Sequence, residues 1–295
     1  MSINGYTRTC GLIGNPVEHT MSPAIHNTLA EAMEENLVYV PFRVMEDYVE
    51  EAVRGAYALN LLGCNVTVPY KSQVIPFLKE IDPVAERIGA VNTLVRTEGG
   101  FKGYNTDMPG LYRAMCEDGV KIRGEKVLIL GAGGVARAVA FLLAEKGAQE
   151  ISILNRTFEK ADRIAQETNS FAGRRIAQAY RLEEYRDLPA CEKYLAIQTT
   201  SVGMFPQVEE TVIEDASFYE KVHTGYDLIF NPFRTKFMSL VEKGGGRAFN
   251  GLKMLLYQGI IAYELWTGAA VPGELAMCAY EAMKEAMGIP SGRKG

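Results

Sequence analysis

The stretch Lys126-Val-Leu-Ile-Leu130, followed at once by Gly131-Ala-Gly-Gly134, decides the fold class of this chain. Its residues 127–130 form a short apolar run with two β-branched side chains, which predicts a buried parallel strand. Residues 135–146 carry apolar side chains at helical spacing, and Glu150-Ile-Ser-Ile-Leu154 predicts a second strand. A strand, a glycine-rich turn, a helix and another strand make a βαβ unit, which belongs to a parallel sheet.

Strands continue to alternate with helices beyond this unit. The apolar patterns predict a helix at 161–168, strands at 176–179, 194–199 and 226–230, and a helix at 235–243. Such alternation is typical of a doubly wound parallel sheet, so the expected fold class is α/β with a Rossmann-type second domain.

A separate α/β block precedes that domain. It predicts strands at 9–13, 37–44, 64–68 and 91–96, a helix opened by Ser22-Pro23, a helix capped by Asp47, and a short helix after Asp82-Pro83. Residues 252–266 and 274–287 predict two helices with no strand between them, which suits a chain returning to the first domain. We therefore expect a substrate domain at 1–107, completed by 250–295, and a nucleotide domain at 108–249.

Composition narrows the class of protein. The chain has 295 residues, which fits two domains at about 100–200 residues each. With a net charge of −5, the chain has no general excess of positive charge that would attract nucleic acid or an anionic membrane. No apolar run approaches the ~18 residues of a membrane span, the N-terminus lacks signal-peptide features, and the five cysteines form no CxxC pair. We expect a cytoplasmic monomer or homodimer, without a metal, that acts on a small molecule.

The glycine-rich turn predicts a dinucleotide site. Close backbone approach and a positive helix N-terminus together accept a pyrophosphate, and Ala136 stands where the fingerprint permits alanine in place of glycine. The alternative is an ordinary glycine-rich turn between a strand and a helix.

The end of the second strand indicates which dinucleotide binds. NAD sites place an acid there, whereas this strand ends Asn155-Arg156-Thr157 with Lys160 close behind. Two cations and a hydroxyl suit the 2′-phosphate of NADP, although Glu159 is a dissonant neighbour and a solvated charge run is the alternative.

Four polar segments of the first domain are unlike core sequence. They are Gly14-Asn-Pro-Val-Glu-His-Thr-Met-Ser22-Pro, Asn65-Val-Thr-Val-Pro-Tyr-Lys71, Gly89-Ala-Val-Asn-Thr93 and Gly103-Tyr-Asn-Thr-Asp107. Three further segments follow them along the chain: Thr200-Ser-Val-Gly-Met204, Tyr226-Asp-Leu-Ile-Phe-Asn-Pro232 and Asn250-Gly-Leu-Lys-Met-Leu-Leu-Tyr-Gln258. In this set the chain resembles the shikimate dehydrogenase family over nearly its whole length.

The resemblance implies NADP-dependent interconversion of 3-dehydroshikimate and shikimate, a step of aromatic amino-acid biosynthesis. It also implies roles for individual residues. Lys71 and Asp107 match the catalytic pair that handles the proton on the C3 oxygen. The substrate-binding matches are Thr20, Ser22, Thr67, Asn92, Tyr226 and Gln258. The cofactor-binding matches are Gly131, Ala132, Gly133, Gly134, Ala136, Asn155, Arg156, Thr157, Lys160, Met204 and Gly251.

Two positions depart from the family pattern. Thr20 stands where serine is common, which keeps the hydroxyl and adds a methyl group. Gln198 stands where asparagine is usual.

The chemistry of the residues agrees with these implied roles. Reducing a ketone requires a proton donor beside the developing alkoxide, and a lysine held by an acid can give or take that proton. His19 and His26 lack a third metal ligand, so we expect them to be structural hydrogen-bonding residues. The alternatives are an NAD-preferring quinate/shikimate dehydrogenase, a methylene-tetrahydrofolate dehydrogenase, and a non-catalytic metabolite sensor. The missing acid at the strand end argues against the first, the cluster of hydroxyl-binding residues against the second, and the presence of both Lys71 and Asp107 against the third.

Overall fold

The chain folds into two compact units in a computed structural model that describes residues 3–189 and 192–290. Met1–Leu111 and Leu255–Gly295 form the first unit, and Tyr112–Met254 form the second. Cys191, one of the five cysteines, lies outside the described residues. The unit boundaries fall four residues after the expected position 107 (111 − 107) and five after the expected position 249 (254 − 249).

Strands and helices are named here in chain order. The strands are β1 (Arg8–Gly14), β2 (Leu37–Arg43), β3 (Gly63–Val66), β4 (Glu80–Ile81), β5 (Thr93–Thr97), β6 (Gly100–Tyr104), β7 (Lys126–Leu130), β8 (Glu150–Asn155), β9 (Ala177–Arg181), β10 (Tyr194–Gln198), β11 (Val222–Asp227) and β12 (Arg247–Phe249). The α-helices are α1 (Ser22–Ala32), α2 (Val49–Ala58), α3 (Pro83–Ile88), α4 (Asp107–Glu117), α5 (Gly134–Glu145), α6 (Phe158–Ala172), α7 (Ala216–Tyr219), α8 (Lys236–Lys243), α9 (Leu252–Thr267) and α10 (Gly273–Ala286).

The first unit contains a mixed six-stranded sheet in the order β2-β1-β3-β5-β6-β4. β1 pairs in parallel with β2 and β3, whereas β5 runs antiparallel to both β3 and β6. The buried side chains of Ile13, Val66, Leu94 and Phe101 contribute to a hydrophobic core on this sheet. The polar segments identified in the sequence lie after β1, β3 and β6 and between α3 and β5.

The second unit contains a parallel six-stranded sheet in the order β12-β11-β10-β7-β8-β9. This confirms the predicted doubly wound sheet. The strand order reverses between β7 and β10, and ligands of such sheets bind at the carboxyl ends of the strands beside the reversal. Gly131 follows β7 and Thr199 follows β10, so both lie at that point.

Several element boundaries differ from the predictions. Met21, not Ser22, is the N-cap residue of α1, and Asp47 lies within a 3₁₀ turn that precedes α2. β11 covers residues 222–227 rather than 226–230. The short strands β4 and β12 were not predicted. The expected cap of α3 is confirmed, because the Asp82 side chain accepts a hydrogen bond from the Val84 amide.

None of the helices described in 3–189 and 192–290 is long and apolar enough to span a membrane.

Candidate active site

Lys71 and Asp107 form an ion pair in the first unit. The Lys71 Nζ lies 2.6 Å from the Asp107 Oδ2, and their side chains are 30% and 17% exposed. Lys71 follows the carboxyl end of β3, and its carbonyl accepts a hydrogen bond from the Val91 amide at 2.7 Å. Asp107 is the first residue of α4. The partly exposed pair is therefore fixed in place and still accessible to a ligand.

Asn92 fixes the second oxygen of Asp107. Its Nδ2 donates to the Asp107 Oδ1 at 2.9 Å and lies 3.5 Å from the Gln258 Oε1. Its Oδ1 accepts from the Thr106 amide at 2.7 Å, so the orientation of the amide group is determined. Asn92 is 2% exposed and Gln258 is 7% exposed. Asp107 stands where a residue could cap the N-terminus of α4. Its carboxylate instead bonds to Lys71 and Asn92.

Gly110 explains how Gln258 reaches this group. A Cβ at Gly110 would lie 2.6 Å from the backbone nitrogen of Gln258 and 2.9 Å from its Cα. Only glycine permits this close approach of α9 to α4 without a backbone shift. The four residues Lys71, Asn92, Asp107 and Gln258 therefore form one polar cluster.

Thr20 and Ser22 lie at the N-terminus of α1. The Thr20 Oγ1 accepts a hydrogen bond from the Ser22 amide at 3.2 Å, which leaves the hydroxyl proton of Thr20 available. Ser22 is 6% exposed. Hydroxyl groups at a positive helix N-terminus are suited to a carboxylate.

Thr67 lies just beyond β3, between Asn65 and Lys71 in the chain. It is partly exposed, and its Cγ2 lies 2.3 Å from the position that a Cβ on Gly14 would take. Its hydroxyl has no hydrogen-bond partner among the residues that the structure describes. It is therefore available to a ligand hydroxyl.

In the second unit the glycine turn joins β7 to α5. Gly131 has φ +109°, a conformation that side-chain-bearing residues rarely adopt, and Gly133 is the N-cap residue of α5. A Cβ at Gly133 or Gly134 would meet no atom within 4 Å, so the space above the helix N-terminus is open. Ala136 is fully buried and lets α5 pack closely. These features fit a pyrophosphate on the backbone N–H groups.

A cavity of about 310 Å³ adjoins this turn. Its lining includes Gly131, Asn155, Arg156, Thr200 and Ser201. The Asn155 Nδ2 donates to the Thr157 carbonyl at 2.8 Å, which shapes the loop after β8. Arg156, Thr157 and Lys160 are exposed on this loop and the first turn of α6. The Arg156 side chain at this cavity, with the exposed Lys160 on the first turn of α6, fits the 2′-phosphate of NADP.

Gln198 organises the loop that leads to Met204. Its Nε2 donates to the Thr200 carbonyl at 3.2 Å and to the Val202 carbonyl at 3.1 Å, and its Oε1 accepts from the Thr200 amide at 2.6 Å. Gln198 is fully buried, and Met204 is 45% exposed. The sequence marked Gln198 only as a departure from the family pattern. Its loop contacts were not predicted.

Tyr226 and Gly251 lie in packed surroundings. Tyr226 is fully buried, and its hydroxyl donates to the Asp118 Oδ2 at 3.2 Å. A Cβ at Gly251 would lie 2.2 Å from the Leu228 carbonyl oxygen, so glycine is required there for packing. Contact of Tyr226 with the carboxylate of a bound substrate would need the tyrosine side chain to move. That contact, and contact of Gly251 with a cofactor, stay predictions.

The two singled-out histidines differ in their surroundings. His26 is fully buried, and its Nε2 lies 3.2 Å from the Asn65 Oδ1, as expected of a structural hydrogen-bonding residue. Burial lowers the pKa of His26 to about 3, so the ring is neutral at physiological pH. His19 is exposed on the loop before Thr20.

Three protein-family profiles match the chain. Residues 12–94 match the shikimate dehydrogenase substrate binding domain, residues 114–192 match shikimate / quinate 5-dehydrogenase, and residues 251–287 match the shikimate 5′-dehydrogenase C-terminal domain. The matched ranges include Lys71, the glycine turn and Gln258, whereas Asp107 and the loop from Thr200 to Met204 lie outside them.

Individual proteins are similar over nearly the whole chain. The shikimate dehydrogenase (NADP⁺) of Carboxydothermus hydrogenoformans is 41% identical, over 98% of this chain and 99% of the relative. A crystal structure of a shikimate dehydrogenase in complex with NADP⁺ superposes with a TM-score of 0.88 at 36% identity, covering 97% of both chains. The Listeria monocytogenes shikimate 5-dehydrogenase, solved with shikimate and NAD, gives a TM-score of 0.87 at 33% identity over 97% of this chain and 98% of that one.

Proposed function

Because the chain belongs to the shikimate dehydrogenase family, we propose that it interconverts shikimate and 3-dehydroshikimate with NADP. The first unit binds the substrate and supplies the acid/base group. The second unit binds the nucleotide. The cofactor, when bound, gives or accepts the hydride.

The ion pair of Lys71 with Asp107 carries this proposal. In the reduction direction the charged Lys71 Nζ gives a proton to the developing alkoxide and becomes a neutral amine, and in the oxidation direction that neutral amine accepts the proton of the C3 hydroxyl and becomes charged. Asp107 holds the lysine side chain through a 2.6 Å contact. Asn92 prevents the carboxylate from rotating away, because it bonds the other oxygen at 2.9 Å.

The other polar residues match the functional groups of the substrate. Shikimate carries one carboxylate and several hydroxyls. Thr20 and Ser22 receive the carboxylate, while Thr67, Asn92 and Gln258 hold the ring hydroxyls. A lysine beside three such groups suits a polyhydroxy acid better than an apolar ketone, because each buried polar atom then finds a partner.

The nucleotide choice rests on the loop after β8. Arg156 and Lys160 are exposed there, and the strand end carries no acid. Charge-assisted hydrogen bonds from two cations favour the 2′-phosphate of NADP over the 2′-hydroxyl of NAD.

The test is a steady-state assay of the purified protein that crosses shikimate and quinate with NADP and NAD. We expect the highest kcat/KM for shikimate with NADP. No reduction of NADP by shikimate would refute the proposal. A higher kcat/KM for quinate with NAD would instead support the quinate-degrading alternative.

A further inference from the structure

Tyr70 is a fully buried residue that directly precedes Lys71 in the chain. Its ring belongs to the hydrophobic core of the first unit, together with Val66 and Val74. Its hydroxyl donates to the Val44 carbonyl at 2.6 Å, and Val44 immediately follows β2. Because both the ring and the hydroxyl are held, the main chain that carries Lys71 is attached to a fixed point at the end of β2.

The same point holds the start of the Ser22 loop (residues 14–22). The Val44 amide donates to the carbonyl of Gly14, the last residue of β1, at 3.1 Å. The next residue, Asn15, donates its amide to the Val68 carbonyl at 3.2 Å. Val44 therefore accepts a bond from the lysine turn (residues 67–72) and donates one to the Ser22 loop.

The contacts of Lys71 itself lead elsewhere. Its carbonyl accepts from the Val91 amide at 2.7 Å, and its Nζ bonds to the Asp107 Oδ2 at 2.6 Å. Neither contact involves the Ser22 loop. The bond from Asn15 to Val68 joins the two segments three residues before Lys71 (71 − 68), whereas the Tyr70 bond acts on the adjoining residue. Tyr70 therefore restrains Lys71 relative to the Ser22 loop more directly.

The proposed substrate needs a defined separation between these two segments. Its carboxylate and its C3 oxygen are attached to one cyclohexene ring, so the distance between them changes little. When Ser22 receives the carboxylate, Lys71 must lie at a matching distance to reach the C3 oxygen. Small errors in such positioning slow a reaction strongly, even where the substrate stays bound.

We propose that Tyr70 is a positioning residue that sets the place of Lys71 relative to the Ser22 loop. It acts through the main chain of Lys71 and is itself too deeply buried to touch the substrate. The proposal rests on the proposed function, because that function makes Lys71 the acid/base group and places a carboxylate at Ser22.

The first test is Tyr70→Phe, which keeps the buried ring and removes only the hydroxyl. We expect kcat for shikimate oxidation to fall about three- to thirtyfold, a part of the roughly 10²-fold loss that a misplacement of about 1 Å can cause. The KM for shikimate and the Kd for NADPH should stay within about twofold, because the variant removes no group that binds either ligand. An unchanged kcat, with or without a higher KM, would overturn the proposal.

A double-variant cycle tests the route through Lys71. Lys71→Ala removes the amine that Tyr70 positions. Adding Tyr70→Phe should therefore change the residual kcat of Lys71→Ala by less than about twofold, because residues that act as a unit are not additive. A general structural defect would lower kcat by the same factor in both backgrounds, and that result would overturn the proposal.

Tyr57→Phe is the matched control. The Tyr57 hydroxyl also donates to a main-chain carbonyl of the first unit, that of Thr97, at 3.3 Å, and it accepts from the Gly99 amide at 2.9 Å. Thr97 is the last residue of β5, whereas Asn92 of the polar cluster precedes the first. We expect the kinetic constants of Tyr57→Phe to equal those of the wild type. An equal fall of kcat in Tyr57→Phe and Tyr70→Phe would refute the inference.

The wild-type protein separates this inference from the proposed function. A wild type that does not oxidise shikimate would refute the proposed function. An active wild type whose kcat survives in Tyr70→Phe would refute only the role of Tyr70.

Discussion

At the scale of single residues, several side chains of the candidate site are fixed by hydrogen bonds to their neighbours. Asn92 illustrates this, because its Nδ2 restrains Asp107 while its Oδ1 accepts from Thr106. The polar cluster of Lys71, Asn92, Asp107 and Gln258 is therefore ordered by its own hydrogen bonds. Such preorganisation reduces the cost of arranging charge during proton transfer.

Arg156 gives a direct test of nucleotide choice. Arg156→Ala removes a cation that lines the cavity beside the glycine turn. The KM for NADP should rise roughly ten- to a hundredfold, since a hydrogen bond to a charged group contributes about 1.5–3 kcal/mol. The KM for NAD should hardly change, because NAD has no 2′-phosphate.

Arg163→Ala is the control for that substitution, since Arg163 is exposed further along α6. It removes the same charge and should leave both constants unchanged. Equal losses with NADP and NAD in Arg156→Ala would contradict the assignment of Arg156 to the 2′-phosphate.

The sequence indicated candidate site residues through its motifs, whereas it could not show contacts that cross strands. Lys71 and Asp107 are 36 positions apart, and only the resemblance to a family paired them in advance. Tyr70 and Val44 were not predicted to interact, because they follow β3 and β2, which flank β1, and spacing along the chain does not show that register. Gln198 was noticed only as an unusual residue.

At the scale of elements, two glycines of the β7–α5 turn differ in their conformation and in the space around them. Gly131 has a positive φ, and a Cβ there would lie 2.6 Å from the Thr200 Cγ2. Gly133 has φ −88°, and a Cβ there would meet nothing within 4 Å. The fold requires the first glycine. Packing does not require the second, so we expect it to serve a ligand that approaches the backbone.

The two alanine variants should therefore differ. Gly131→Ala should lower the Tm by at least about 2–4 °C, since a left-handed alanine costs ~1–2 kcal/mol. Gly133→Ala should keep the wild-type Tm and weaken NADP binding by roughly tenfold or more, equivalent to at least about 1.4 kcal/mol. Calorimetry and a fluorescence titration with NADPH measure the two quantities. Wild-type NADP affinity in Gly133→Ala would contradict a pyrophosphate at this turn.

Element prediction failed where apolar character and hydrogen bonding disagree. The run Leu228-Ile-Phe230 is apolar and predicted a strand, yet β11 ends at Asp227. The Asp227 carboxylate accepts a hydrogen bond from the Ile229 amide at 3.0 Å, which turns the chain out of the sheet. The amino-terminal half of β11 was missed because it contains His223 and Thr224. A buried threonine and a half-exposed histidine do not resemble a parallel strand in sequence.

At the scale of the whole molecule, Asp227 links stability to pH. Burial raises its pKa from 3.8 to about 6, against the hydrogen bonds from Thr235 and Ile229. The folded protein therefore binds this proton more tightly than the unfolded chain. Lowering the pH from above 6 to about 4 should stabilise the fold through this group, and the charged form reduces stability at pH 8.

Asp227→Asn should remove that dependence. The difference in unfolding free energy between wild type and variant should change by on the order of 2 kcal/mol between pH 8 and pH 4, with the wild type gaining as the pH falls. Denaturant unfolding at several pH values measures it. Asp215→Asn is a control of opposite sign, because hydrogen bonds from Ser217 lower the pKa of that exposed carboxyl. Parallel pH profiles for Asp227→Asn and wild type would contradict the argument.

The central claim is that the first unit moves the proton and the second unit binds the nucleotide. Lys71→Ala tests this most directly, with Lys79→Ala as control, since Lys79 donates to the Glu98 carbonyl in an exposed loop of the same unit. The measurement is the initial rate of NADP reduction by shikimate, with the Kd for NADPH and the Tm determined on the same protein. Lys71→Ala should lower kcat by ~10²–10⁴, the usual contribution of a positioned acid/base, and leave the Kd and Tm near wild type. A Lys71→Ala enzyme that keeps its kcat and only binds shikimate more weakly would contradict the account.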